Sequence, residues 1–137
     1  MFSFLMIIHM FSIMGGGASG IGNGILMARV ARAGAPPPDY VRATMKTLGR
    51  IGLASIILLW LSGISMVLIG GVAFTTYFAV KLIGAAAVLG AILTLTAHTA
   101  KAQKEGHPPD LALMKKIARV AQVGVVIAII FAVLAFG

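Results

Sequence analysis

The chain has 137 residues and a net charge of +8 at pH 7, with 60% hydrophobic but only 10% charged residues. Soluble domains are typically about 45–50% apolar and about 25% charged, so this composition excludes a soluble protein and indicates an integral membrane protein. The sequence contains no cysteine, which excludes disulfides, thiolate metal sites and cysteine nucleophiles.

Four apolar runs are each long enough for a helix that crosses a hydrocarbon core about 30 Å thick, which takes about 20 residues. We predict membrane spans at about residues 2–28, 51–72, 75–100 and 120–136. The predicted fold class is therefore all-α, an integral membrane four-helix bundle that forms a single transmembrane domain over residues 1–137. Basic cytoplasmic loops are predicted at about residues 29–50 and 101–119.

Span one carries His9 and a glycine-rich stretch. Gly16, Gly20 and Gly24 recur at every fourth position, and such a ridge lets another helix or a second copy of the chain approach closely. His9 lies one heptad before Gly16, so it projects from nearly the same side and is predicted to face protein, not lipid. A lone intramembrane histidine either hydrogen-bonds across a helix pair or serves as a haem ligand or proton carrier.

The two polar gaps predict the topology. Each contains a proline stop followed by an aspartate, so helices are predicted to restart at Tyr40 and Leu111 behind the N-caps Asp39 and Asp110. All Lys and Arg residues except Lys81 lie in these gaps, and basic loops face the cytoplasm in multi-pass proteins. Both termini are therefore predicted on the non-cytoplasmic side, and the bacterial inner membrane is the predicted location.

Span two presents a predicted partner surface of small or polar residues. These are Gly52, Ser55, Ser62, Gly63 and Gly70. Trp60 lies near the middle of the span, away from the interfacial belt where tryptophan usually anchors a helix. This position favours packing or a ligand-facing role for Trp60.

Span three holds Lys81, the one cation within an apolar run. A lysine at the centre of a membrane helix costs about 2.5–3.5 kcal/mol, so such residues usually pair, line water or serve a function. No predicted span contains a carboxylate, which leaves an anionic ligand, neutral His9 or backbone carbonyls as partners; the alternative is snorkelling to the non-cytoplasmic interface. His9 and Lys81 both lie about 10 Å below that surface, so we predict that they can meet.

The remaining metal ligands are scattered. His98 is predicted at the cytoplasmic interface and His107 in solvent, so a site of three histidines is not expected. The methionines do not form a compact cluster that would suit Cu(I), and they are interpreted as core filling; the set is Met1, Met6, Met10, Met14 and Met27.

The two halves of the sequence are alike. Residues 45–51 match residues 114–120, and this downstream alignment pairs Arg50 with Arg119. The residues before the prolines align at a different offset from those after them. This upstream alignment pairs Arg29 with Lys101, Gly34 with Gly106 and His9 with Lys81. Two parallel helical-hairpin repeats explain this likeness, and so does convergence of basic loops before membrane helices.

The motif Ile8-His9-Met10 before the Gly-rich stretch, and Ala79-Val80-Lys81-Leu82 in span three, resemble the four-span family of HemJ-type protoporphyrinogen oxidases and CopD-like copper-resistance proteins. The likeness covers most of the chain by span layout and a few residues by motif. It is that of a divergent member, since Ile92 stands where a third-span histidine is expected. The resemblance implies haem b or another tetrapyrrole, with His9 as metal ligand. It also implies that Lys81 binds the cofactor and acts catalytically on a porphyrin carboxylate or a proton.

Two functions remain open at this point. The first is a tetrapyrrole-binding protein that passes electrons or oxidises a porphyrinogen. The second is a noncatalytic accessory subunit of a larger respiratory or photosynthetic complex, docked through the ridge of Gly16, Gly20 and Gly24. Whether the chain is an enzyme stays open, and nucleic acid is not an expected partner because the cations flank membrane spans.

Overall fold

The chain is all-helical over residues 1–70 and 75–136, which the computed structural model describes with side chains up to residue 134. Helix α1 spans Phe2–Ala33, α2 Asp39–Gly70, α3 Thr76–Glu105 and α4 Leu111–Phe136. All four are long and apolar enough to cross a membrane. The predicted all-α class with four membrane helices is confirmed, and by length and composition the chain is a multi-pass membrane protein.

The helices extend well beyond the predicted spans. Helices α1 and α2 have 32 residues each, which makes them about 48 Å long, and the hydrocarbon core is only about 30 Å thick. The predicted basic loops are therefore mostly helical, and only residues 34–38 and 106–110 within them are not. The basic side chains consequently lie on helix ends. The predicted turn between spans two and three falls largely outside the described residues.

A glycine with a left-handed backbone opens each of these two connections. Gly34 has φ 63° and Gly106 has φ 72°, a conformation that other residues rarely adopt. After Gly106 the chain turns back on itself, and the N–H of His107 donates to the carbonyl of Ala102 at 3.2 Å. Gly34 and Gly106 are a pair in the upstream alignment, so the two connections begin in the same way.

Helix α4 begins as the sequence predicts. Its first residue is Leu111, and the Oδ1 atom of Asp110 accepts hydrogen bonds from the backbone N–H groups of Ala112 and Leu113, at 2.9 and 3.3 Å. These bonds satisfy two of the donors that the first turn of a helix leaves unpaired. The predicted N-cap role of Asp110 is confirmed.

Helix α2 begins differently. It starts at Asp39, one position before the predicted Tyr40, so Asp39 lies inside the first turn and is not the N-cap. The carboxylate of Asp39 instead pairs with the guanidinium of Arg42 at 3.0 Å. The carbonyl of Pro38 accepts the N–H of Arg42, because the proline run already sets the backbone for the helix start.

The chain divides into two compact units, each a helical hairpin. The first, residues 1–72, pairs α1 with α2, and the second, residues 73–137, pairs α3 with α4. The grouping of both units into the predicted single domain stays a prediction.

Small residues hold the first hairpin together. Its buried serines are Ser12, Ser19, Ser55 and Ser62. A Cβ built on Gly15 would lie 2.7 Å from the Oγ of Ser55, and one on Gly52 would lie 2.9 Å from the Oγ of Ser19. The two backbones therefore approach as closely as small residues permit, and the predicted partner surface on span two does contact span one.

The second hairpin has its closest approach at two glycines. A Cβ built on Gly84 would lie 2.9 Å from the carbonyl oxygen of Gly124, and one on Gly124 would lie 2.9 Å from the Cγ2 of Val88. Val88 and Ala91 are buried beside them. Without side chains at these two positions, the backbones of α3 and α4 come into direct contact.

The same two faces pack in both hairpins. In the first, Gly16 faces Ser55, since a Cβ on Gly16 would lie 3.6 Å from the Cβ of Ser55. The upstream alignment pairs Gly16 with Val88, and the downstream alignment pairs Ser55 with Gly124. In the second hairpin Val88 and Gly124 contact each other. Both connections are five residues long, and the length of a connection sets the register of an antiparallel helix pair, so the correspondence agrees with duplication and with convergence alike.

Candidate functional site

His9 lies at the interface of the first hairpin. Its Nδ1 atom is 2.9 Å from the Oγ of Ser62, which connects α1 to α2. His9 is half-buried and Ser62 is only 3% exposed. The prediction that His9 faces protein is confirmed.

The surroundings of Ser62 favour one tautomer of the His9 ring. The Ser62 hydroxyl lies 2.7 Å from the carbonyl oxygen of Leu58 and 3.1 Å from that of Leu59, both on its own helix. A hydroxyl that donates to either carbonyl leaves its oxygen to accept from His9, and a neutral ring would then carry its hydrogen on Nδ1. The lone pair of the ring is then on Nε2, the nitrogen that can bind a metal or receive a proton.

A glycine lies beside the ring. A Cβ built on Gly63 would lie 3.5 Å from the Cε1 of His9, an ordinary van der Waals distance. The same Cβ would lie 3.9 Å from Nδ1, and no other ring atom of His9 is within 4 Å of it, so Gly63 packs against the edge of the ring that faces Ser62 and not against Nε2.

Two buried polar atoms of the first hairpin have no hydrogen-bond partner within the part of the chain that the structure describes. They are the Nε1 of Trp60 and the Oδ1 of Asn23. Buried polar atoms are nearly always hydrogen-bonded, so each marks a place where a water or a ligand atom fits. Trp60 lies two positions before Ser62 on α2, and residues with this spacing project from nearly opposite sides of a helix, so its packing or ligand-facing role stays a prediction.

Lys81 belongs to the second hairpin. It is half-buried, and its ammonium lies 5.8 Å from the centroid of the Phe78 ring, one turn nearer the start of α3. Phe78 is 4% exposed, so the cation rests against a buried aromatic face and gains a cation–π attraction. The predicted meeting of Lys81 with His9 concerns both hairpins and stays a prediction.

The other two histidines belong to the second connection. The Nε2 of His98 accepts a hydrogen bond from the backbone N–H of Asp110 at 3.3 Å, which ties α3 to the start of α4. His107 is exposed and contacts the Glu105 carboxylate at 2.7 Å. Over residues 1–70 and 75–136 no three His, Cys, Asp or Glu side chains form a group that could hold a metal ion.

Sequence reasoning missed three features of these surroundings. It did not identify Ser62 as the hydrogen-bond partner of His9. It also did not identify His98 as the residue that connects α3 to the start of α4. Both depend on the register between two helices, which spacing along one helix does not reveal. It also treated the methionines as scattered, although Met6, Met10 and Met14 line one side of α1. Their recurrence at every fourth position was the available signal.

No family model, no curated protein and no solved structure matches the chain. The resemblance to the HemJ-type and CopD-like family therefore stays a prediction. The function has to be inferred from the residues and their geometry.

Proposed function

We propose that the chain binds haem b or a related tetrapyrrole, with His9 as the axial metal ligand. The observation that carries this proposal is the hydrogen bond from His9 to Ser62. Histidines that bind metals usually donate their other ring N–H to an acceptor that fixes the tautomer and the orientation of the ring. Ser62 is such an acceptor, and its own hydrogen is held by the carbonyl of Leu58.

Two small residues of α2 hold the ring of His9 in place. Ser62 contacts Nδ1 and Gly63 packs against Cε1, so a metal ion would be bound through Nε2, the other ring nitrogen. The protein would hold the ring of His9 in one orientation and shield it between two helices. A bound haem would itself supply one-electron redox chemistry.

Lys81 is proposed to bind a carboxylate of the tetrapyrrole or to move a proton at that site. The upstream alignment pairs Lys81, near the start of α3, with His9, near the start of α1. A half-buried ammonium attracts a ligand carboxylate strongly, because little water is present to screen the two charges. This is the sense in which Lys81 is the proposed catalytic and cofactor-binding residue.

An absorption spectrum tests the proposal. The protein is purified in detergent from haem-sufficient cells and titrated with haemin. We expect a Soret band that disappears in His9→Ala and persists in His98→Ala, because His98 ties a loop instead of facing a ligand. Lys81→Gln should weaken haem retention while Lys81→Arg preserves it. A wild-type protein that leaves the absorption spectrum of added haemin the same as in detergent alone would refute the proposal.

The second candidate function, an accessory subunit of a larger membrane complex, is supported by the outer face of α1. Met10, Phe11 and Met14 are 54%, 69% and 68% exposed on a shallow apolar groove. Methionine-rich faces adapt to varied partner helices. Colourless protein that co-purifies in fixed proportion with a large complex would favour this function over the first.

We propose self-association through only part of the glycine ridge. Gly16 is already packed against Ser55 inside the first hairpin. No described atom lies within 4 Å of a Cβ built on Gly20 or Gly24, which leaves these two positions for a partner helix. Gly20 is the exposed one of the two.

The proposed location is the bacterial inner membrane with both termini on the non-cytoplasmic side. The support is the concentration of cations on the helix ends around residues 34–38 and 106–110, since basic segments beside spans are retained in the cytoplasm.

A further inference from the structure

An apolar groove runs along one side of the second hairpin. It lies between residues 80–87 of α3 and residues 119–127 of α4, and its volume is about 430 Å³. Small-molecule sites in proteins have volumes of about 300–1,000 Å³, so the groove has the capacity of a site. Its rims are open, with Ile83 68% and Val123 58% exposed.

One end of the groove carries a positive charge. Among the described residues that line it, Arg119 alone is charged, and it lies at the end nearer the 106–110 connection. Lys115 and Lys116 precede Arg119 by one turn, so they point to the same side of α4. The opposite end, about 12 Å away along α4, is apolar at Ile127.

The charge sits where the polar part of α4 meets its apolar part. Val120 begins the long apolar run of α4, so Arg119 marks the boundary between hydrocarbon and headgroups when the helix crosses a bilayer. The groove then extends from the headgroup level into the hydrocarbon. A ligand that fills it must be anionic at one end and apolar along its length.

We propose that this groove holds an acyl chain of one anionic phospholipid, whose phosphate is bound by Arg119. A guanidinium presents paired N–H donors that match two phosphate oxygens, and basic sites between membrane helices at the headgroup level bind anionic headgroups. The apolar walls give the acyl chain a fixed surface in place of mobile neighbouring lipids. This proposal is independent of the tetrapyrrole.

Native mass spectrometry of the purified protein with dioleoyl phosphatidylglycerol tests the proposal. Removing any one cation near the membrane surface weakens anionic lipid binding about fivefold, and because Arg119 also binds the phosphate directly we expect Arg119→Gln to raise the dissociation constant by more than that factor. The matched control is Arg50→Gln, which removes the counterpart of Arg119 in the downstream alignment, outside the groove. Equal losses in both variants would show diffuse charge attraction and overturn the proposal.

A second variant separates the acyl chain from the headgroup. Ala87→Phe fills the groove without changing any charge, and it should reduce retention of dioleoyl phosphatidylglycerol but not of its dihexanoyl analogue. Arg119→Gln should reduce retention of both lipids. If Ala87→Phe disturbs the helical circular dichroism spectrum, Val123→Phe on the other wall replaces it. Unchanged lipid retention in the filled groove would overturn the proposal.

Discussion

At the scale of single residues, the contact between His9 and Ser62 determines what the candidate site can do. A buried interhelical hydrogen bond in a membrane protein contributes about 0.6 kcal/mol on average, so this one stabilises the hairpin only modestly. Its larger effect is on the ring, because it favours the hydrogen on Nδ1 and orients the ring plane.

Replacing Ser62 by alanine should release the ring. The acceptor oxygen is absent in Ser62→Ala, so we expect His9 to lose its preference for the Nδ1–H tautomer. The protein should lose about 0.6 kcal/mol of stability. The imidazole ¹⁵N chemical shifts report the tautomer directly. Ser65→Ala is the matched control, since the Ser65 hydroxyl also donates to its own helix, at 2.8 Å to Leu61, but not to His9. Identical His9 shifts in the wild type and Ser62→Ala would contradict the assignment.

At the scale of helices and hairpins, the sequence predicts that the elements are membrane helices, but it predicts their ends and their contacts less well. Long apolar runs predict membrane helices because length and composition alone determine whether a helix can span a bilayer. The aspartates show the limit of such reasoning. Asp110 caps α4, whereas Asp39 lies inside α2, although a proline run precedes each of them. The side of His9 was predictable from periodicity, but its partner Ser62 required the register between α1 and α2.

The second hairpin should depend on the glycine contact between α3 and α4. In Gly84→Ala the new Cβ would meet the carbonyl oxygen of Gly124 at 2.9 Å and the backbone nitrogen of Ala128 at 3.1 Å. The backbones must separate, which we expect to destabilise the protein by about 1–3 kcal/mol. Unfolding in mixed micelles measures this loss.

Gly90→Ala is the control for that substitution. Nothing described lies within 4 Å of a Cβ built on Gly90, so alanine should stabilise α3 by about 0.5–1 kcal/mol through backbone entropy. The two substitutions add the same methyl group to the same helix and are expected to act in opposite directions. Equal effects of the two substitutions on stability would mean that the close approach of Gly84 and Gly124 does not stabilise the protein.

At the scale of the whole molecule, the two hairpins repeat one plan. Each has a left-handed glycine at the start of its connection, equivalent interface positions, and one ionisable residue near the start of its first helix, His9 or Lys81. A duplicated hairpin would have retained the interface because packing requires small residues there. The ionisable position carries an imidazole in the first hairpin and an ammonium in the second.

The distribution of charge makes the orientation of the whole chain testable. The protein has no cysteine, so single-cysteine variants give a clean signal with a membrane-impermeant maleimide. Ser3→Cys should be labelled from the non-cytoplasmic side of intact cells, whereas Ala35→Cys and His107→Cys, one in each basic connection, should react only after the membrane is opened. The two connections must agree, because each hairpin crosses the membrane twice. Labelling of Ala35→Cys but not His107→Cys in intact cells would place the hairpins in opposite orientations and contradict the parallel repeat.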